Sequence, residues 1–301
     1  MGRVLVTGCS GFTGHHLAER LKASGHEVFD PEADGRIFDL TRPETLAPVI
    51  AEARPDYVIH LAAQSFVAHE DASAFYRVNT VGTTHLLDAL LASGARVRRV
   101  VLASSANVYG NTAADPITEA TSVAPVNHYA ASKVAMELLA ETYADRLPIA
   151  VTRPFNYTGP GQSSQFLIPK LVEHFADRRP AIELGNLDVV RDFSDVRAVV
   201  EAYVRLLSVE SPPPVVNLCS GVGRSLRQVI HDLAELSGHR IEVRVNPAFV
   251  RASEVHRLVG STATLRAALG DLPYQDFRAT LAWMLAARRG ECQSTCRAPL
   301  T

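Results

Sequence analysis

The chain alternates short apolar runs with stretches whose apolar positions recur at helical spacing. Residues 3–7 form a β-branched run, followed by a glycine loop and a helix over about 12–24 that Gly25 stops. Further strands are expected at 27–30, 37–39, 56–61, 99–104 and 149–153. Helices are expected at 44–53, 72–93 and 129–145. Strands that are apolar throughout and separated by helices predict a parallel sheet covered on both faces. With right-handed crossovers, the expected class is α/β with a doubly wound parallel sheet.

Beyond residue 153 the pattern loosens. A Gly/Pro/Ser/Gln loop fills 158–165, and helices are expected at 169–177, 195–207, 225–236, 262–268 and 277–287. Strands are expected at 181–184, 215–219 and 241–245, the middle one after the breaker Pro212-Pro213-Pro214. This reads as a sheet domain of residues 1–157 and 188–220, a smaller interleaved lobe of 158–187 and 221–287, and a flexible tail of 288–301.

Composition narrows the function classes. In 301 residues, 30 basic side chains face 32 acidic ones, for a net charge of -2, which argues against a nucleic-acid partner. Hydrophobic residues make up 47% and charged residues 21%, so disorder is excluded as the main state. No apolar run approaches the roughly 18 residues of a membrane span, and the start shows no signal-peptide pattern. A cytoplasmic protein is expected. Four cysteines are too few for a disulfide framework, and Cys292 and Cys296 in the tail are a poor metal site, so no metal is expected.

Candidate chemistry begins in the first loop, Gly8-Cys9-Ser10-Gly11-Phe12-Thr13-Gly14. Gly8 permits the tight turn, Gly11 lets backbone approach a pyrophosphate, and Gly14 lets the helix pack closely on the sheet. The helix start offers N–H groups to the anion. The strand–loop–helix context predicts a dinucleotide site and makes the first domain a Rossmann domain. Asp30 ends the second strand 22 residues after Gly8, where an acid meets a ribose 2′-hydroxyl. Glu32 and Asp34 would repel a 2′-phosphate and only Arg36 offsets them, so NAD is favoured over NADP. Asp39 and Leu40 either frame the adenine or make a simple turn.

Tyr129 and Lys133 stand at i and i+4 on one helix face. An ordinary tyrosine has a pKa of about 10, so ionising it at pH 7 costs about 4 kcal/mol. A nearby ammonium and a nicotinamide cation would both lower that cost. Such a tyrosine exchanges a proton with a carbonyl oxygen as hydride moves at carbon. Alone, this spacing is a common chance pattern, and a surface pair is the better reading of it. Ser104 and Ser105 at the end of a strand add weight, because ligand crevices form at the carboxyl ends of such strands.

Together these motifs resemble the extended short-chain dehydrogenase/reductases that act on nucleotide-diphosphate sugars. The resemblance is carried by Thr7-Gly8 through Gly14, Ser105 before Tyr109, and Tyr129-x-x-x-Lys133. His60-Leu61-Ala62-Ala63-Gln64, Asn79 to Gly82, and Arg153-Pro154-Phe155-Asn156 add to it. It implies Ser105, Tyr129 and Lys133 as catalytic groups. It implies Gly8, Ser10, Gly11, Phe12, Thr13, Gly14, Asp30, Asp39, Leu40, Leu61, Ala62, Ala63 and Asn79, with Tyr129 and Lys133, around NAD or NADP. Gln64, Ser104, Ser105, Ala106 and Asn107 would line the sugar. A homodimer through the helices at 72–93 and 129–145 is also implied.

The second half is similar to one branch, the GDP-4-keto-6-deoxy-D-mannose reductases, which form GDP-6-deoxy-D-mannose. Arg153 to Gln162, Gly185 to Phe193, Val216 to Gly221 and Arg251 to Val255 carry that likeness. It implies Asn156, Arg191, Arg251 and Glu254 as substrate residues, with arginines suited to a bidentate grip on phosphate. Ala252, His256 and Asp271 depart from the branch pattern. Sugar 4,6-dehydratases of the family carry an acid–base pair where Ala106 and Asn107 stand. Epimerase-reductases carry Cys and His where Ala106 and Phe166 stand. Simple redox chemistry at C4 remains, with a 4-epimerase or a dTDP-sugar reductase as rivals.

Overall fold

The computed structural model describes residues 1–65, 71–249, 255–274 and 276–291. Among these, the main sheet has six parallel strands: β1 (Arg3–Thr7), β2 (Glu27–Phe29), β3 (Tyr57–His60), β4 (Arg99–Ala103), β5 (Ile149–Pro154) and β9 (Val215–Leu218). Their order is β2-β1-β3-β4-β5-β9. The intervening strands, β6 (Asn156–Thr158), β7 (Ala181–Leu184) and β8 (Val190–Asp195), lie outside this sheet.

The strands are apolar throughout because both faces are covered. Val4 and Val6 point to one side, into a core with α1 (Phe12–Ala23) and α7 (Val196–Leu206). Leu5 points to the other, with α2 (Leu46–Ala53), α4 (Gly82–Ala92) and α5 (His128–Glu141). The chain steps from β1 to β2 on one side, then to β3 on the other. The resulting switch point opens a crevice at the carboxyl ends of β1 and β3.

A second core gathers α6 (Leu167–Ala176), α8 (Leu226–Ser237) and α10 (Phe277–Arg288). Its backing is a small sheet of β6, β8, β10 (Gly223–Ser225) and β12 (Arg257–Leu258), and a pair formed by β7 and β11 (Glu242–Val245). Leu265 and Leu269 of α9 (Ala263–Leu269) instead join the core of α1 and α7.

Several expectations change. Residues 37–39 form no strand: Phe38 is buried, Ile37 is exposed, and the segment runs as coil. The long helix expected at 72–93 divides into α3 (Ala72–Phe75), a π-helical stretch (Tyr76–Val81) and α4. β6, β8, β10 and β12 escape a pattern search because they are short or mix polar with apolar residues. The helix expected at 277–287 runs on to Arg288, the first residue of the expected tail. Cys292 and Cys296 lie outside the described residues. No helix among the described residues is long and apolar enough to cross a membrane, and none of their side chains cluster as a metal site.

Candidate active site

The glycine loop joins β1 to α1. Gly8 has φ +70°, and a Cβ there would sit 2.9 Å from the Ala62 backbone nitrogen. A Cβ on Gly14 would reach within 2.6 Å of the Cys9 Cα. Neither position tolerates a side chain without displacing backbone. Helix α1 starts at Gly11 without a side-chain cap, which leaves its first-turn N–H groups open to an anion. This cradle fits a dinucleotide pyrophosphate, which backbone from Gly11 to Gly14 would hold.

The side chains of the loop have other tasks. Phe12 stacks on Tyr157 at 6.1 Å, and the Thr13 hydroxyl meets the Tyr157 hydroxyl at 2.8 Å. Tyr157 thus ties the loop to β6. The sequence hints at this role only through the stretch from Arg153 to Gln162, of which Tyr157 is one member. The Ser10 hydroxyl donates to Glu32 at 3.5 Å.

Beyond β2, Asp30 accepts from the Glu32 backbone at 3.0 Å. Arg36 pairs with Glu52 at 2.7 Å and Asp34 at 3.0 Å. Asp39 caps its own turn, accepting from the Thr41 backbone and hydroxyl, and these bonds hold its carboxyl below the usual range. Leu40 is buried against Gly82.

After β3, Leu61, Ala62, Ala63 and Gln64 are half-buried beside Gly8. Asn79, from the π-helical stretch, accepts from the Gln64 N–H at 2.8 Å. It also donates to the Gln64 carbonyl and the Ser132 hydroxyl, both at 3.0 Å. Its side chain is spent on holding this loop against α5, so any part it plays toward a cofactor runs through that loop. His60 beneath is wholly buried between the hydroxyls of Thr7 and Thr83. Burial, with Lys133 nearby, pushes its pKa down to about 3.

Tyr129, Lys133 and Glu137 recur every four residues along α5 and face the end of β4. Tyr129 is half-buried, with the Ser105 side chain beside its phenol. Burial pushes its phenol up to about 12, with Ser105 opposing. Lys133 is buried and donates to the Ala103 carbonyl at 2.7 Å. Burial lowers its pKa to about 8, with Glu137 opposing. The expectation that Lys133 lowers the Tyr129 pKa therefore fails for the protein's own groups: desolvation dominates, and the ammonium is directed at Ala103. A protonated Tyr129 suits proton donation near neutral pH.

Ser105 caps the 3-10 turn Ala106–Tyr109, accepting from the Asn107 N–H at 3.2 Å. Two substrate expectations change here. Ser104 is buried and its hydroxyl donates to Glu137. Ala106 is buried with Val108, Tyr109 and Phe155. Neither side chain presents itself to a sugar. Asn107 is half-buried next to them.

Glu137 also makes a two-pronged ion pair with Arg153 of β5, closest at 2.6 Å. Arg153 donates to the Tyr109 hydroxyl at 2.9 Å, and Tyr109 donates to Asn217 at 2.7 Å. Sequence reasoning misses this buried pair. Its signal is the extension of the Tyr129–Lys133 spacing by four more residues.

On β6, Asn156 holds a buried amide nitrogen with no partner. A buried donor without a partner is costly, so it marks a place where a ligand acceptor would be welcome. Arg191 shares its face of the small sheet, since Asn156 pairs with Phe193, two residues on, in parallel register. Arg191 donates to the Val190 carbonyl at 3.0 Å. Arg251 and Glu254 lie outside the described residues, as does Ala252.

The fold and site define a dinucleotide-binding enzyme, with Ser105, Tyr129 and Lys133 gathered at the end of β4. Residues 4–219 match the NAD dependent epimerase/dehydratase family model. The chain belongs to that family, within the extended short-chain dehydrogenase/reductases, which bind NAD or NADP.

It is 37% identical over 288 residues to GDP-6-deoxy-D-talose 4-dehydrogenase of Aggregatibacter actinomycetemcomitans, covering 95% of this chain and 98% of that one. It is 38% identical over 282 residues to GDP-6-deoxy-D-mannose reductase of Pseudomonas aeruginosa, covering 90% and 92%. The solved structure of RMD from Pseudomonas aeruginosa, complexed with NADPH, superposes with a TM-score of 0.88 at 35% identity, covering 96% of this chain and 99% of that one.

Proposed function

We propose that this protein reduces the C4 carbonyl of a nucleotide-diphosphate 4-keto-6-deoxyhexose, with GDP-4-keto-6-deoxy-D-mannose as substrate and GDP-6-deoxy-D-mannose as product. The observation that carries this reading is the meeting of Ser105 and Tyr129 at the end of β4, beside the crevice and one helical turn from Lys133. Bound NAD(P)H would supply the hydride. Tyr129 gives its proton to the carbonyl oxygen, Ser105 hydrogen-bonds that oxygen, and the charged Lys133 steadies negative charge and the cofactor ribose.

The apolar Ala106 and the amide Asn107 offer no carboxyl pair for loss of water. Asn156 and Arg191 share the diphosphate, and Arg251 and Glu254 complete the substrate contacts. Residues 1–157 and 188–220 form the cofactor domain, and 158–187 and 221–287 the sugar-nucleotide lobe, with Asn156 and Arg191 reaching the substrate from the cofactor domain's side of the boundary.

The relatives named for 6-deoxy-D-talose and 6-deoxy-D-mannose bear on opposite configurations at C4 of one hexose. Both support redox at that carbon, and the face attacked distinguishes them. The test incubates purified protein with GDP- and dTDP-linked 4-keto-6-deoxy sugars and either NADH or NADPH, then assigns C4 by NMR. Oxidation of NAD(P)H with the manno product supports the reading. Interconversion of UDP-hexoses without net oxidation of cofactor would replace it with a 4-epimerase. The same reading expects a cytoplasmic homodimer through α4 and α5, and the exposed Leu138 and Leu139 of α5 support such an interface. Light scattering at the monomer mass would remove the dimer.

A further inference from the structure

Glu137 is a buried carboxylate that the chemistry above leaves without a task. It lies one turn beyond Lys133 on α5, as Lys133 lies one turn beyond Tyr129. Each of the three side chains meets a different residue at the end of β4: Glu137 the Ser104 hydroxyl, Lys133 the Ala103 carbonyl, Tyr129 the Ser105 side chain. Arg153 grips Glu137 from β5 and is itself held by Tyr109, which Asn217 of β9 anchors in turn. One connected polar network therefore crosses from α5 to three adjacent strands directly behind the catalytic groups.

We propose that the Glu137–Arg153 ion pair is a positioning device that seats the Tyr129–Lys133 face of α5 on β4 and balances the charge around Lys133. The proposal rests on the reading of Lys133 as a catalytic group. A neutral pair of similar shape would seat the helix as well, but it would not supply the balance. Buried ion pairs are often no more stabilising than apolar replacements, so retention of charge here calls for another reason. Lys133 provides it. Around it stand His60 from β3, which is neutral at physiological pH, Tyr129 and Glu137 on its own helix, and Arg153 behind Glu137 from β5. Glu137 favours the charged ammonium, and Arg153 keeps Glu137 in place and moderates its field.

The two charges must then act on Lys133 with opposite sign. Glu137→Gln leaves the Arg153 cation uncompensated and drives the Lys133 proton off at lower pH. Arg153→Gln frees the carboxylate to face Lys133 and holds the proton to higher pH.

The chain has three lysines, Lys22, Lys133 and Lys170. Protein labelled with 13C at the lysine ε-carbon thus gives a spectrum simple enough to follow Lys133 by titration, without substrate or cofactor. The expected result is a midpoint lowered by about one unit or more in Glu137→Gln, a tenfold change in proton affinity, and raised in Arg153→Gln. Midpoints equal to wild type, or moved the same way in both variants, overturn the proposal. If one variant fails to fold, the other decides by the same criterion. Because no sugar is added, a wrong substrate assignment leaves this outcome untouched.

Discussion

The Lys133 ammonium donates a 2.7 Å hydrogen bond to the carbonyl oxygen of Ala103, so the strand end and the catalytic helix are joined through a group that titrates. Burial brings its pKa down to about 8. Below that value Lys133 is charged; above it, the charge is lost. Reduction is therefore expected to decline as pH rises through about 8. Tyr129, held up to about 12, remains a proton donor throughout that window. A kcat/KM profile for reduction measured from pH 6 to 10 checks this. A profile flat to pH 10 would falsify the assignment of Lys133 to the catalytic group.

Tyr129→Phe removes the proton donor and keeps the ring against Phe75. The expected loss in kcat is about 10²- to 10⁴-fold, the range of general acid catalysis. NADH binding should change less than turnover, because the ring stays in place and the pyrophosphate cradle keeps its backbone donors. Stopped-flow turnover alongside a fluorescence titration separates the two. Turnover equal to wild type would remove Tyr129 from the mechanism.

Cofactor choice depends on how the acids beyond β2 are engaged. Arg36, the cation placed to offset them toward a 2′-phosphate, is committed to Glu52 and Asp34. Asp30 and Glu32 leave negative charge where that phosphate would sit. Binding is expected to favour NADH over NADPH, although the solved Pseudomonas relative holds NADPH. Asp30→Asn should narrow the preference. Titrations of wild type and variant with both cofactors give the ratio; tighter NADPH binding by wild type contradicts the expectation.

The sheet is legible in the sequence because doubly covered strands are apolar at every position, as in Tyr57–His60 and Arg99–Ala103. The shared face of Tyr129 and Lys133 is legible from helical spacing, and its nearness to Ser105 from the strand that ends there. Residues 37–39 mislead, since an apolar Ile-Phe pair looks like a strand whether or not a neighbour pairs with it. The division of the 72–93 helix is hidden because the π-helical stretch holding Asn79 leaves no mark in apolar periodicity. Ser104 and Ala106 mislead for a different reason. A residue beside a catalytic serine faces the substrate or the core according to the turn after it, and here the core wins for both. The four-residue spacing puts Glu137 on the same face as Lys133, but nothing local announces that it finds Arg153, sixteen residues away on β5.

His60 gives a prediction about stability. Its ring is buried between two threonine hydroxyls, and burial lowers its folded pKa to about 3 against an ordinary value near 6.5. Between those values the unfolded chain binds a proton that the folded chain refuses. Unfolding then takes up a proton, so folding free energy falls as pH drops, with the full contribution present above about 6.5. Each unit of pH within the window removes about 1.4 kcal/mol from this one site. His60→Gln should be less stable near pH 7, through imperfect replacement of the two hydrogen bonds, yet its stability should fall less steeply with acid. Urea unfolding of both proteins at pH 7, 6 and 5 tests the slope. Parallel pH dependences would show that His60 accepts its proton in the folded state, and the buried neutral ring would have to be abandoned.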